Sequence, residues 1–454
     1  MVDPISVGGI LKFGNAGSLT ADLMTQDVSS RLRMRGLLTF KTGSLEVRCL
    51  YVMGEFLYCV KGDTFVRIDP TGRYRVLGTL VTDSGPAWIQ GDGQNLMVVD
   101  TAHGYTYASD ADGDFSWATI TTEEFPVPSS LTYQDGYFIV TEEKSGRFYI
   151  SSPYDPTTWD SLDYATAEGN SDDLVCVFSH NRDLWLLGKY STEIWYNSGA
   201  AEFPFERNPA GAIGIGCASP RSVAASAFHV FWLDNEFRVR QGTGVESQVI
   251  STRQIDYQIG QESGHSQAVG FFYVQEGHEF YQLTIGNSTW CYDTTTGFWH
   301  KRASGTSDDR HPAQCYALFN DKHLVGHFDN GKILELDLDT YTNDGEMIRA
   351  IRTAQAVVND RKTVFHHRLE IEFEAGVGNA AETDPEAILD WSDDGGHTWS
   401  NEHTTPIGAS GQYKTRAVWR RLGPSRDRAY RVTIEDPVKR VIIGAHLEAD
   451  PGRF

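Results

Sequence analysis

A polar segment near the C-terminal end carries a carboxylate, two hydroxyls and a tryptophan at the spacing S-x-D-x-G-x-T-W. Its residues are Ser392, Asp394, Gly396, Thr398 and Trp399. Aspartate and hydroxyl side chains this close together hydrogen-bond the backbone of a tight turn, and a tryptophan can pack beneath that turn. The pattern therefore predicts a structural hairpin and does not by itself supply a reacting group.

This pattern is known as an Asp box, and sialidases and related propeller hydrolases carry several copies of it. Such a hydrolase also needs three arginines that clamp a carboxylate, and a tyrosine nucleophile with a glutamate partner. This chain has one copy of the box, which lies outside the repeats described below. A carbohydrate-binding or sialidase-like propeller is therefore kept as the alternative function.

Two further patterns could suggest a ligand site. The glycines of Gly211-Ala212-Ile213-Gly214-Ile215-Gly216 resemble a phosphate loop, but no helix pattern follows them, as a nucleotide fingerprint requires. A turn between repeats is predicted instead. The adjacent His366 and His367 point to opposite faces of a strand and cannot easily bind one metal ion. With no catalytic triad or acid and base pair in evidence, we expect no catalytic site, no metal and no cofactor.

A basic segment follows the Asp box. Residues 414–440 contain nine Lys or Arg against three acids, in a chain whose net charge is -22. The segment reads as two strands around a basic turn, because Tyr430, Val432 and Ile434 alternate with polar residues. Such a patch suits an acidic partner subunit or DNA, and a solvated hairpin face with local ion pairs is the alternative. The candidate docking residues are Arg420, Arg421, Arg426 and Arg428.

Composition sets the limits for the fold. A chain of 454 residues with 40% hydrophobic content is too long for one simple core and predicts two or more domains or a large repeat array. Aromatic residues at 12% and 44 glycines together are typical of many short strands joined by tight turns. The acidic balance argues against a protein that grips nucleic acid through its phosphates.

The cysteines and the hydropathy indicate where the chain folds. Its six cysteines are scattered with no CxxC pair, so we expect them to be small buried hydrophobic residues. No signal peptide pattern and no apolar run of about 18 residues are present. Synthesis and folding in a cytoplasm, with no membrane-spanning segment, are therefore expected.

Short apolar strands recur at intervals of about forty to fifty residues, which is typical of a repeat architecture. Most are followed by a polar turn and a second strand, which predicts four-stranded units that close into a β-propeller. We expect six or seven blades over residues 45–345, with a β-sandwich or an irregular stack of sheets as the alternative. The apolar strands begin near residues 56, 95, 136, 183, 229, 279 and 322.

After residue 345 the strands become longer and alternate more clearly. In residues 368–374 the apolar Leu369, Ile371 and Phe373 are expected to face the core, and Arg368, Glu370, Glu372 and Glu374 to face water. Residues 376–385 read as a long exposed loop, and residues 1–44 as an N-terminal arm. An antiparallel β-sandwich is predicted for residues 346–454. Its strands are expected at 347–358, 368–374, 387–391, 415–421, 429–435 and 439–447.

The C-terminal sequence also resembles that of a known family. Residues 419–428 have the form W-R-R-L-G-x-S-R-D-R, and residues 432–437 have the form V-x-I-x-D-P before a last apolar strand. These motifs are similar to the ending of the packaged-DNA stabilisation proteins of short-tailed phages, which form the tail hub or nozzle. Weaker similarities at residues 35–60 and 184–196 extend the resemblance toward the N-terminus.

The resemblance implies a structural virion protein with no chemistry to perform. In that family six copies form a ring below the portal and the adaptor, or head-to-tail connector, extend the channel, retain packaged DNA and anchor tailspikes or fibres. It implies a location in the virion tail after synthesis in the cytoplasm of the host bacterium. Double-stranded DNA would pass an acidic wall without sequence recognition. The alternative function becomes a carbohydrate-binding or sialidase-like protein of a tail appendage.

Overall fold

The computed structural model describes residues 19–21, 32–34, 46–109, 113–167, 169, 172–305, 307, 309–360 and 362–452. The chain divides into two compact units. One contains residues 34–303 and 309–336, and the other contains residues 337–454 with segments from 1–33 and 304–308. The N-terminal arm predicted for residues 1–44 lies almost wholly outside the described residues.

The first unit is a β-propeller, since its described residues contain seven sheets of four strands each. Blade 1 contains Val47–Met53, Phe56–Lys61, Thr64–Ile68 and Tyr74–Thr79. Blade 2 contains Ala87–Gly91, Leu96–Asp100, Gly104–Ser109 and Phe115–Thr119. Blade 3 contains Pro128–Gln134, Tyr137–Glu142, Arg147–Ser152 and Asp155–Thr166. Blade 4 contains Leu174–His180, Asp183–Gly188, Thr192–Asn197 and Phe205–Ile213.

Short helices lie in the connections before blade 5 and between blades 5 and 6. Blade 5 contains Ala224–Ala225, Val230–Leu233, Val239–Thr243 and Glu246–Val249, and blade 6 contains Val269–Gln275, His278–Ile285, Ser288–Asp293 and Phe298–Arg302. Blade 7 contains Ala313–Phe319, Lys322–His327 and Ile333–Leu336, with Leu32–Met34 as its fourth strand. The helical segments are Pro220–Ser222, Arg253–Gln261 and His265–Gln267.

The seven apolar segments found in the sequence are the second strands of the seven blades. Leu96–Asp100 is buried along its whole length, because a second strand is paired on both edges and packed between neighbouring blades. The fourth strands Tyr74–Thr79 and Phe115–Thr119 are mostly exposed. Val47 and Leu57 of blade 1 share a buried cluster with Ala317 and Leu324 of blade 7. The ring therefore closes, and the predicted propeller is confirmed with seven blades.

The second unit is a β-sandwich, as predicted. Its first sheet contains, in order, Leu19–Ala21, Ile442–Pro451, Val364–Phe373 and Ala417–Ser425. Its second sheet contains Ala350–Thr353, Asp427–Ile434, Glu386–Ser392 and His403–Pro406, and Val357–Val358 also pairs with Asp427–Ile434. A small hairpin of Thr342–Asn343 and Glu346–Met347 precedes them. Leu369, Ile371 and Phe373 lie in the core between the sheets.

Two expectations for the sandwich were wrong. The strands on either side of the basic turn do not form a hairpin, because Ala417–Ser425 belongs to the first sheet and Asp427–Ile434 to the second. Glu370 is 3% exposed, although strand alternation placed it in water. Arg416 and Arg368 hydrogen-bond its carboxylate, and these bonds lower its pKa. Alternation predicts which face a side chain occupies, but it does not show that arginines will cover that face.

The predicted loop and the cysteines are largely as expected. Residues 376–385 contain no regular strand, although several of them are half-buried. Four of the six cysteines are buried, two are half-buried, and all six are free thiols. None of the helices in the described part of the chain is long and apolar enough to cross a membrane.

Candidate docking site

The candidate docking residues lie at a corner where the chain leaves the first sheet of the sandwich and enters the second. The strand Ala417–Ser425 ends at this corner, Arg426 makes the turn, and Asp427–Ile434 begins immediately. The register of the first strand shifts beside its partner Val364–Phe373, between the pairs His366 with Gly423 and Arg368 with Arg420. One extra residue on this strand forms a bulge, and Arg421 within it and Gly423 at its end adopt φ values of 60° and 80°.

Arg428 is the buried residue of this corner. Its side chain is 3% exposed, and its Nε and Nη2 atoms donate to the two carboxylate oxygens of Asp393 at 2.6 and 2.7 Å. Its Nη1 atom donates to the carbonyl oxygen of Leu422 at 2.5 Å, and the guanidinium lies 5.0 Å from the ring centroid of Trp391. Arg428 therefore links the corner to the Asp-box turn through Asp393. Because it is buried, it is not available to a partner.

The other three candidate arginines, Arg420, Arg421 and Arg426, are exposed. None of them forms an ion pair with any residue that the structure describes. Five other cations of the basic segment are used within the sandwich: Arg416 with Glu370, Arg428 with Asp393, Arg431 with Asp390, Lys439 with Glu374, and Arg440 with the carbonyl oxygen of Asp436. The unpaired basic surface at the corner is thus smaller than the sequence suggests.

The Asp-box residues form the turn between Glu386–Ser392 and its antiparallel partner His403–Pro406. The Asp394 carboxylate accepts hydrogen bonds from the Thr398 amide at 2.9 Å and the Thr398 hydroxyl at 2.6 Å, and these bonds hold the pKa of Asp394 well below its usual range. The Ser392 hydroxyl accepts from the Gly396 amide at 2.7 Å. The side chains of Ser392, Asp394 and Thr398 are thus used to shape the turn.

Trp399, the last residue of the Asp box, packs against the guanidinium of Arg431. The Arg431 guanidinium lies 3.8 Å from the centroid of its ring, and Arg431 also donates from Nε to Asp390 at 2.9 Å. The turn and the basic corner are therefore joined twice, by Arg431 on Trp399 and by Arg428 on Asp393. The two patterns that the sequence presented separately are connected by these contacts into one end of the sandwich.

His366 lies beneath this end and is 2% exposed. Its Nε2 atom lies 2.8 Å from the Ser425 hydroxyl and its Nδ1 atom 2.9 Å from the Tyr430 hydroxyl. Burial, and next the charge of Arg428, lower the pKa of His366 to about 4. His367 points to the opposite face and contacts Asp450, so the two histidines do not share a ligand. No group of residues suited to a metal ion exists in the described part of the chain.

The depressed pKa of His366 predicts that the sandwich loses stability in acid. Between about pH 6.5 and about pH 4 the unfolded chain binds a proton that the folded chain does not, so unfolding becomes easier by up to about 1.4 kcal/mol per pH unit. Hydrogen exchange of the amides in Asp427–Ile434, at about pH 7 and about pH 4.5, measures this loss. A His366→Gln variant with an undiminished loss would show that other groups are responsible.

A cavity of about 210 Å³ lies on the axis of the propeller, and residues from six blades and from the segment that enters blade 5 line it. We name it the axial cavity. Tyr316 is the tyrosine in its wall, and burial raises the pKa of that tyrosine to about 12. The Tyr316 hydroxyl contacts His323 Nδ1 at 2.9 Å, where a sialidase-like nucleophile would contact a carboxylate.

Arg48 also lines the axial cavity, but its guanidinium is used in hydrogen bonds within the propeller. It is 1% exposed and donates to the Thr82 hydroxyl and to four backbone carbonyl groups. These carbonyl groups belong to Gly62, Thr82, Gly85 and Pro86. The tyrosine and this arginine therefore do not form the carboxylate clamp and nucleophile that the alternative function requires.

The glycine-rich segment forms the turn between blades 4 and 5. It ends the strand Phe205–Ile213, and the next regular element is the short helix Pro220–Ser222. A Cβ atom on Gly216 would lie 2.2 Å from the carbonyl carbon of Lys189. The glycine at 216 is therefore required for close approach of two backbones, and the segment is not a phosphate loop.

Comparison with known families accounts for most of the chain. The model of the bacteriophage P22 Gp10 β-propeller matches residues 32–341, and the model of the bacteriophage P22 Gp10 β-sandwich matches residues 350–450. These limits include nearly all the strands of the two units described above. No curated protein matches the chain.

Solved structures with a similar arrangement are distant. Virginiamycin B lyase from Staphylococcus aureus is 10% identical with a TM-score of 0.45, covering 67% of this chain and 98% of its own. BamB from Moraxella catarrhalis is 10% identical with a TM-score of 0.41, covering 72% and 97%. The Pan2 WD40 domain of Neurospora crassa is 7% identical with a TM-score of 0.42, covering 64% and 89%. Likenesses at this level carry no information about function.

Proposed function

Because this chain belongs to the bacteriophage P22 Gp10 family and is thus a structural protein of a phage tail, we propose that it forms the hub or nozzle ring of the tail. In this proposal six copies surround the axis below the portal and the adaptor. The ring extends the channel, retains packaged DNA and anchors tailspikes or fibres. The protein is made in the cytoplasm of the host bacterium and acts in the virion without catalysing a reaction.

The observation that carries the proposal is the rigid corner of the sandwich with its three exposed arginines. Arg428 and Arg431 fix this corner from within, so Arg420, Arg421 and Arg426 are presented on a preorganised surface. A preorganised cationic surface loses little conformational entropy when it binds and favours an acidic partner. We infer that these three arginines dock the subunit against the adaptor ring or a neighbouring copy.

The acidic character of the chain supports the proposed path for DNA. A net charge of -22 repels the phosphate backbone and does not hold it, which suits a conduit through which DNA must leave quickly. In the same proposal the propeller occupies residues 45–345 and the sandwich of residues 346–454 is the docking domain. Residues 1–44 form an arm that adds Leu32–Met34 to blade 7 and Leu19–Ala21 to the sandwich.

Electron microscopy of particles that contain this chain tests the proposal. We expect six copies in a ring on the portal axis of the native particle. Particles made with the triple variant R420E/R421E/R426E should lack the ring and lose their packaged DNA, because reversed charges repel an acidic partner and no ring is left to retain the DNA. Lys414→Glu is the matched control, since Lys414 belongs to the same basic segment but lies outside the corner.

Two results would contradict the proposal at different levels. Three copies, or a variable number away from the axis, would exclude the nozzle ring and favour a tail appendage. A complete and infectious ring built from the triple variant would leave the nozzle role intact and exclude docking through the corner.

A further inference from the structure

The axial cavity has a basic side that no part of the proposed function uses. Arg48 and Arg221 both line it, one from blade 1 and the other from the segment that enters blade 5. Gln90 and Gln314 add two amide side chains to an otherwise largely apolar wall. A mostly apolar cavity with a few convergent polar groups is the usual form of a small-molecule site.

Arg221 has more hydrogen-bonding capacity than its neighbours use. Its Nη1 atom lies 3.4 Å from Glu46 Oε1, which is a long contact for an ion pair. The same carboxylate oxygen accepts a hydrogen bond from Gln314 Nε2. The Nη2 atom of Arg221 is buried and has no hydrogen-bond partner among the described residues. A buried donor without an acceptor is costly, and it commonly marks the place of a bound ion or water.

A second arginine adds to the positive charge at this place. Arg310 Nη2 donates to Gln314 Oε1 at 3.3 Å, and the guanidinium lies 4.2 Å from the ring centroid of Phe328. Its Nε atom is also buried without a partner in the described structure. Burial, and next the charge of Arg221, lower the pKa of Arg310. Two neighbouring guanidinium groups thus share this side of the propeller, and each retains an unused donor.

We propose that the axial cavity binds one small oxyanion of the carboxylate or phosphate class, held by Arg221 and Gln314 in its wall, with the charge of Arg310 behind Gln314. Guanidinium groups match such anions because two of their N–H donors can bind two oxygens at once. The anion would supply acceptors to the unused donors and would compete with Glu46 for Arg221. This inference does not depend on the proposed role of the protein in the tail.

The test is isothermal titration of the full chain with sodium phosphate and with sodium acetate, using sodium chloride at equal ionic strength as the reference. We expect one anion per chain. Arg221→Gln should weaken binding at least about tenfold, because it removes the charged donor. Glu46→Gln should strengthen binding, because it removes the competing carboxylate while keeping a hydrogen-bonding side chain. A variant that merely disturbs the fold would not bind more tightly.

The outcomes separate the possible ligands. Binding of phosphate alone assigns the cavity to the phosphate class, and binding of acetate assigns it to carboxylates. Arg253→Gln, at an exposed position on the helix Arg253–Gln261, is the control for binding at the surface and should change nothing. The proposal is overturned if neither anion binds beyond the chloride reference, or if Arg221→Gln and Glu46→Gln bind as the native chain does.

Discussion

Replacing Arg428 with methionine is expected to lower the stability of the sandwich by about 3 kcal/mol. The change removes both hydrogen bonds to Asp393 and leaves the carbonyl oxygens of Leu422 and Pro424 without the donors that they now have. Methionine fills much of the volume but cannot donate a hydrogen bond. Hydrogen exchange of the amides in Asp427–Ile434, measured in the full chain, reports the free energy of local opening.

Arg426→Met is the matched control, because Arg426 is the exposed arginine two positions earlier. Its effect on the same amides should stay within about 0.5 kcal/mol. Equal effects of the two substitutions would mean that Arg428 does not hold the corner. In that case, if particles made with Arg428→Met lacked the ring, local unfolding of the docking surface could not be the reason.

Gly216→Ala is expected to destabilise the propeller by about 3 kcal/mol, near the upper end of what overpacking usually costs. The added Cβ would lie 2.2 Å from the carbonyl carbon and oxygen of Lys189 and 2.4 Å from the amide nitrogen of Tyr190. These atoms are backbone and cannot rotate away. The shift would also strain the bond from Trp232 Nε1 to the Gly216 carbonyl oxygen, 3.2 Å long, in the buried core between blades 4 and 5.

Scanning calorimetry of the full chain measures this effect as a lower Tm. Gly214→Ala is the control from the same glycine-rich segment, since a Cβ there meets no heavy atom within 4 Å. Its Tm should match that of the native chain within about a degree. If Gly216→Ala and Gly214→Ala have the same Tm, the close approach of the two backbones does not require a glycine at position 216.

The strands were predictable wherever burial has a local period. Leu369, Ile371 and Phe373 alternate with charged residues, and they lie in the core as expected. The second strands of the blades were visible because they are apolar along their whole length, as in Leu96–Asp100. The first and fourth strands were harder to find, since they border the axis or the solvent and carry a mixed sequence.

The docking site shows where prediction from sequence failed. Arg426 and Arg428 are two residues apart in one basic turn, yet one is exposed and the other is among the most buried charged residues of the sandwich. The burial of Arg428 depends on Asp393, thirty-five residues earlier in the chain. A pattern of charges cannot distinguish a free arginine from one that has a distant carboxylate partner.

The sequence by itself determined the fold class, the seven repeats, the Asp-box turn and the acidic balance, because each follows from residue type or from spacing over a few residues. The tertiary structure decided the rest. It assigned the two strands of the basic turn to opposite sheets, covered Glu370 with arginines, and joined the Asp box to the corner through Arg428. These outcomes depend on which distant segments become neighbours, and strand pairing between such segments leaves no local mark in the sequence.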